Sequence, residues 1–194
     1  NIVGAFHQPR AVFIDTDLLQ TLDDRNFYNG LAEAVKAGLR GDAELFELFE
    51  QLPAEREQIQ QEYIEQIIVK ALAVKKSVVE QDEKENGLRQ ILNFGHTIGH
   101  AIESAGELAG MLHGEAIGIG MLQVTEDAAL RERLAAVLRK LNLPTSHEYP
   151  VEQLMEIISH DKKQSGNKIN LILVKTPGKA EIVKMPLEAV KKYL

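Results

Sequence analysis

Across residues 54–80 the apolar positions Ile59, Tyr63, Ile67, Ala71, Val74 and Val78 recur at spacings of four, four, four, three and four. That period lays them along one stripe of a long helix. Other segments repeat the signal. Asp23 and Asp24 cap a helix starting near Arg25, since short polar side chains accept the free amide hydrogens of a first turn. Leu31, Ala34, Val35 and Gly38 continue its face. Asp42 begins a second helix through Leu45, Phe46, Leu48 and Phe49, and Pro53 suits the first turn of the long one. After a polar turn at 82–87, a helix carries Leu88, Ile91, Leu92, Ile98, Ala101 and Ile102 and ends at Gly106 to Gly110. Further helices are expected at 115–129, 130–141 and 151–159, with Pro144 and Pro150 punctuating a loop.

β character is confined to the two ends. The run 11–15 reads as a strand, and 169–174 with 180–183 read as a hairpin around Pro177 and Gly178. A short helix from Pro186 to Tyr193 follows. The expected fold is mainly α, with a short N-terminal strand and a C-terminal β-hairpin.

Composition removes several functions. The chain contains no cysteine, which excludes thiolate metal sites, disulfides and cysteine nucleophiles. A net charge of −7 argues against a general nucleic-acid partner. Tryptophan is absent and aromatic residues make up 5%, too few for a stacking surface. No apolar run approaches the roughly 18 residues needed to span a bilayer, so no membrane partner is expected. The sequence opens directly on Asn1-Ile2-Val3-Gly4, with no initiator methionine, and reads as the middle of something longer.

Chemistry concentrates around histidine. Three of the six lie close together: His96 and His100 in Asn93-Phe94-Gly95-His96-Thr97-Ile98-Gly99-His100, and His113 in His113-Gly114-Glu115-Ala116. Without cysteine, a zinc site must use imidazole and carboxylate. His96 and His100, four apart, share a helix face and either meet one ion or hydrogen-bond within the core. Thr97 stands where the helical metalloproteases carry glutamate, so a protease reading fails. Glu33 either pairs with Lys36 three residues on, or supplies an oxygen ligand. Gly95, Gly99, Gly114, Gly118 and Gly120 imply close approach of a helix or a ligand. Lys75, Arg89, Lys162 and Lys163 gather cations in an acidic chain, as a phosphate or carboxylate ligand would require.

These segments, with Asn1 to Pro9, Gly30 to Glu33, Asp82 through Arg89, Leu92 to Glu103 and Asp161-Lys162-Lys163, closely resemble the 3-dehydroquinate synthase family of sugar-phosphate cyclases. Order and spacing agree along nearly all 194 residues, and the block around His96 and His100 is the most specific part. In that family a Rossmann-like α/β domain binds NAD, and a mainly helical C-terminal domain holds zinc and most substrate contacts. The resemblance places residues 1–20 as the segment leading from the NAD-binding domain and 21–194 as the helical metal- and substrate-binding domain. No NAD-binding residue is expected in the chain itself.

By resemblance the metal ligands are Glu33, His96 and His113, with Zn2+ or Co2+ as the ion, and His100 becomes a substrate contact rather than a ligand. Lys36 matches a lysine near the substrate hydroxyls and the metal. Lys75 and Arg89 match the pair gripping the substrate carboxylate. Asn1, Asn93 and His100 match positions around the substrate phosphate. Lys162 is the family lysine of its pair, with Lys163 left open. Lys36, His100 and Asn93 are thus the expected catalytic residues. Asn1, Lys75, Arg89 and Lys162 are the expected substrate contacts.

The implied reaction is that of a lyase in the shikimate pathway to aromatic amino acids. It converts the sugar acid phosphate DAHP into 3-dehydroquinate and phosphate, using bound NAD for a transient oxidation. The family further implies a cytoplasmic homodimer, and a chain that is inactive without the NAD-binding half. The alternatives are another sugar-phosphate cyclase such as 2-deoxy-scyllo-inosose synthase, a metal-dependent polyol dehydrogenase, or a helical metal-binding domain without catalysis. Inosose synthase acts on a substrate lacking the carboxylate, so Lys75 with Arg89 favours dehydroquinate.

Overall fold

The computed structural model describes residues 7, 9–83, 87–106, 110–161 and 167–194. Eight α-helices, three 3-10 turns and one hairpin are formed among them: α1 (Asp24–Gly41), α2 (Ala43–Gln51), α3 (Arg56–Gln58), α4 (Ile64–Gln81), α5 (His96–Ala105), α6 (His113–Gln123), α7 (Ala128–Lys140), α8 (Val151–Asp161), β1 (Lys168–Thr176) and β2 (Lys179–Pro186). The mainly helical expectation holds. No helix among the described residues is long and apolar enough to cross a membrane.

Local chemistry explains most boundaries. Asp23 accepts a hydrogen bond from the Asn26 amide at 3.0 Å and starts α1. Asp42 closes α1 and opens α2: its own amide donates to Gly38 O, while its carboxylate accepts from the Leu45 amide at 3.1 Å. Lys70 of α4 reaches the same carboxylate at 3.2 Å, so one side chain ties three helices. Asp127 caps α7 through the Leu130 amide at 2.7 Å. This cap ends the helix expected over 115–129 early, at Gln123.

Three further expectations need correction. First, the expected N-terminal strand at 11–15 does not form. A strand requires a hydrogen-bonded neighbour, and none of the described residues pairs with this run. Val12 and Phe13 stand 72% and 94% exposed, and Thr16–Thr21 winds into a 3-10 turn. Among the described residues, β structure is limited to the antiparallel β1–β2 hairpin.

Second, the long helix is interrupted. α3 passes into a π segment (Ile59–Tyr63) before α4 begins. A π turn spends an extra residue, so Ile59, Ile64 and Ile67 enter the core while Tyr63 is only half-buried. At the upstream end, Arg56 Nη2 donates to Leu19 O and Leu22 O at 3.1 and 2.7 Å.

Third, the helix expected from Leu88 onward splits. Leu88–Asn93 is a 3-10 turn, and α5 begins only at His96. Gly95 between them has φ +76°, a left-handed conformation that L side chains rarely adopt.

The core is one apolar cluster drawn from α1, α2, α4, α5, α6, α7, α8 and the hairpin, with Phe46, Phe49 and Phe94 fully buried. The hairpin joins it through Ile169, Leu171, Ile172, Leu173 and Val174 of β1. Its turn is tied to α1 by the Gly178 amide, which donates to Leu39 O at 2.8 Å.

α5 and α6 pack backbone to backbone. A Cβ on Gly120 would lie 2.2 Å from Gly95 O and 2.8 Å from the Gly99 amide nitrogen. Those atoms are main chain and cannot swing aside. Gly120→Ala is therefore expected to destabilise the chain by about 1–3 kcal/mol or more, read as a fall in thermal midpoint. Gly30→Ala is the control. Nothing lies within 4 Å of its added Cβ, so it should raise stability by about 0.5–1 kcal/mol. Equal effects from the two would refute the packing argument.

Candidate metal and anion site

Glu33 and Lys36 occupy neighbouring turns of α1, and His96 and His113 are the first residues of α5 and α6. The four side chains converge. Glu33 Oε1 lies 3.5 Å from His113 Nε2 and 3.7 Å from His96 Nε2. The Glu33 side chain is 42% exposed as a whole, yet Oε1 is sealed from solvent without a hydrogen-bond partner. Its other oxygen accepts from Lys36 Nζ at 2.6 Å, and Nζ is 3.4 Å from His96 Nε2.

The outward-facing nitrogens settle what the inner ones present. His96 Nδ1 is 3.1 Å from the Phe94 carbonyl, which can only accept. Nδ1 therefore carries the hydrogen, leaving a lone pair on Nε2. His113 Nδ1 is 3.0 Å from Glu103 Oε2 and donates to it in the same way. Both rings thus turn Nε2 toward Glu33 Oε1.

Electrostatics agrees. Burial pushes the Glu33 carboxyl up, but the nearby His113 ring and the Lys36 ammonium outweigh it and hold the group at about 2. Burial, reinforced by Lys36, lowers His96 to about 4, so it is neutral at pH 7. The Glu33 carboxylate 3.5 Å away raises His113 against its burial, and Glu103 adds to the effect. An ionised carboxylate and a neutral imidazole are the forms a divalent cation needs. The proton favoured on His113 and the Lys36 ammonium mark where positive charge is wanted.

His100, one turn beyond His96, keeps its ring centroid 5.0 Å from His96 and 5.6 Å from His113. Ring nitrogens of all three histidines lie within 4.8 Å of one another. The structure therefore assembles both donor sets read from the sequence, His96 with His100 and Glu33 with His96 and His113. Only the second answers the sealed oxygen. His100 is exposed on the rim.

α6 is pinned so that His113 points inward. Asn29 Oδ1 accepts from the Gly114 and Glu115 amides at 2.6 and 3.3 Å, and Glu115 accepts from the Leu112 amide at 2.8 Å. Arg25 clamps both Glu115 oxygens at 2.7 Å. Gly114 is required here, because a Cβ would fall 2.1 Å from Asn29 O.

Beside the cluster opens a cavity of about 570 Å³. Its apolar side includes Phe27, Leu31, Ile64, Ile67 and Ala71; its polar side includes Glu33, Lys36, Arg40, Lys75, Arg89, Asn93 and His96. Burial lowers the Lys36 amine from its ordinary value, with Glu33 opposing and Arg40 and Lys75 adding to the fall. Arg89 is held by its surroundings: Asp82 accepts from its amide at 2.9 Å, and its guanidinium donates to Glu83 O at 2.7 Å.

Sequence reasoning missed Arg40. It is 5% exposed and donates to Val74 O at 3.2 Å, while Nε has no partner. No carboxylate among the described residues pairs with it. A buried, uncompensated guanidinium is costly, so the cavity is built to receive negative charge. The signal was its place four residues beyond Lys36 and seven beyond Glu33 on one helix face. Glu103 and Asn29 were also passed over, since nothing in local spacing names their partners. Asn1, Lys162 and Lys163 lie outside the described residues.

Comparison with known proteins places the chain in a family. The pattern described as 3-dehydroquinate synthase C-terminal matches residues 30–164. The 3-dehydroquinate synthases of Streptococcus suis and Thermoanaerobacter pseudethanolicus are each 41% identical over all of the chain, which spans 57% of their length. Among solved structures, 2-epi-5-epi-valiolone synthase from Streptomyces hygroscopicus subsp. jinggangensis, with NAD+ and Zn2+ bound, superposes with a TM-score of 0.84 at 26% identity. A 2-deoxy-scyllo-inosose synthase complexed with carbaglucose-6-phosphate, NAD+ and Co2+ gives 0.73 at 26%. Each alignment covers the whole chain and 57% of the solved one. The fold, the matched pattern and the relatives agree, and the chain belongs to the 3-dehydroquinate synthase C-terminal family.

Proposed function

We propose that these residues form the metal- and substrate-binding part of a 3-dehydroquinate synthase, acting on DAHP to give 3-dehydroquinate and phosphate. Residues 21–194 are the metal and substrate domain, and 1–20 lead in from an NAD-binding domain. The observation that carries the reading is Glu33 Oε1, buried, partnerless and faced by two imidazole Nε2 atoms. Glu33, His96 and His113 would hold Zn2+ or Co2+, the ions bound in the two related cyclases. When bound, the ion polarises a substrate oxygen and NAD accepts and returns a hydride.

The chain's own groups do the rest. Lys75 and Arg89 grip the substrate carboxylate at the cavity wall, and Arg40 adds a deeper positive charge. Lys36, its amine made a weaker base by burial, holds or releases a proton at the ring hydroxyls beside Glu33. Asn93 and His100 face the phosphate, where His100 relays a proton near neutral pH. By the family resemblance Asn1 joins them at the phosphate, and Lys162 is a further substrate contact.

Calorimetric titration with Zn2+ is expected to show one tight site per chain, with the thermal midpoint rising as zinc is added. His96→Ala or His113→Ala should abolish that site, whereas His100→Ala should retain it. Absence of zinc binding by the chain, with neither substitution altering its stability, would end the metal reading.

The neighbouring inosose synthase supplies the second reading, a sugar phosphate without a carboxylate. With zinc present, DAHP is expected to bind more tightly than glucose 6-phosphate. Arg89→Met and Lys75→Met should each weaken DAHP roughly tenfold or more, as loss of a charge-assisted hydrogen bond does. Glucose 6-phosphate should be unaffected. Equal loss for both ligands would instead assign these cations to the phosphate and favour the second reading.

A further inference from the structure

Resting on the metal-site reading above, we infer that Glu103 is a positioning residue for the metal, acting through His113. Its carboxylate Oε2 is 3.0 Å from His113 Nδ1. The contact crosses from α5 to α6, so it fixes the His113 ring relative to the helix that supplies His96.

Placement within α5 supports the assignment. His96, His100 and Glu103 stand at positions one, five and eight of the helix, on a single face. The helix therefore presents a proposed metal ligand, a rim histidine and an outer carboxylate in one row. Glu103 also sits in the last turn, where the helix dipole disfavours an acid and favours a base. An acid kept at the wrong end of a helix needs a compensating partner. His113, at the positive N-terminal end of α6, provides it.

The two imidazoles are held differently, and this makes Glu103 informative. His96 is oriented by a main-chain carbonyl, Phe94 O, which no substitution removes. His113 is oriented by a side chain. Donation from Nδ1 to a carboxylate fixes the tautomer that leaves Nε2 for a metal and makes the ring a stronger donor. It also directs Nε2 to Glu33 Oε1, 3.5 Å away. Glu103 does not reach that point itself; its effect is transmitted through the ring.

The test uses Zn2+ affinity, measured by competition with a chromophoric chelator, and the visible absorption of the Co2+-loaded chain. Glu103→Ala is expected to weaken zinc roughly 10- to 100-fold and to change the Co2+ spectrum. Glu103→Gln, which keeps an acceptor oxygen but not the charge, should recover part of the affinity. The metal-free thermal midpoints should stay close to wild type. If Glu103→Ala fails to fold, Glu103→Gln alone still decides, since it must bind zinc more weakly than wild type. Unchanged zinc affinity and Co2+ spectrum in a folded variant overturn the inference while leaving the metal site intact. So does a loss of affinity matched by an equal loss of metal-free stability, which marks Glu103 as merely structural. A wild-type chain that binds neither ion overturns the underlying reading instead.

Discussion

Everything at the site depends on how closely two helix backbones approach. α5 and α6 meet where Gly120 lies against the Gly95 carbonyl and the Gly99 amide, with no room for a Cβ. Only that contact lets the first residues of two separate helices bring their rings to a centroid distance of 5.4 Å. Gly95 does double service, since its left-handed backbone also separates the preceding 3-10 turn from α5, which starts at His96. The glycines that look like weaknesses in a helical sequence are thus what allows a site to exist. Their conformational cost, up to roughly 1 kcal/mol each in a helix interior, is offset by the buried Ile98, Ile102, Ile117 and Met121 around the contact.

The charge distribution is the second organising element. The protein as a whole carries −7, yet its cavity collects Lys36, Arg40, Lys75 and Arg89 around one carboxylate. A surface rich in acids surrounds a pocket short of them. The single acid among its described lining residues, Glu33, is satisfied at one oxygen by Lys36 and left open at the other. The proposed cation site and the cluster of basic side chains therefore share a wall, as the proposed chemistry on an anionic substrate beside a metal would require.

Much of this was legible in the sequence, for identifiable reasons. Helix caps such as Asp23 and Asp42 act within three residues, so local pattern finds them, whereas Asp127 was missed because a helix was expected to run across it. Periodicity found the α4 stripe, and the Pro-Gly pair found the hairpin. The gathering of Glu33, His96 and His113 came from a motif resemblance; spacing alone pointed to His96 with His100. What stayed hidden depends on distant partners. The run 11–15 has strand composition but no neighbour to pair with, and Arg40 looks like any lysine or arginine on a helix until its burial is known. Glu103 lies ten residues from His113 on a different helix, a contact that no local pattern encodes.

The π segment between α3 and α4 has a consequence of its own. It works as a phase adjuster: the helix before it and the helix after it face the same core only because one surplus residue is spent there. Removing that residue would heal the hydrogen-bond ladder and leave α4 in place, but would rotate the upstream turn by about 100°. Arg56 would then swing away from the carbonyls of Leu19 and Leu22, two residues that line the cavity. An irregularity upstream of Ile64 thus governs how that side of the cavity is framed.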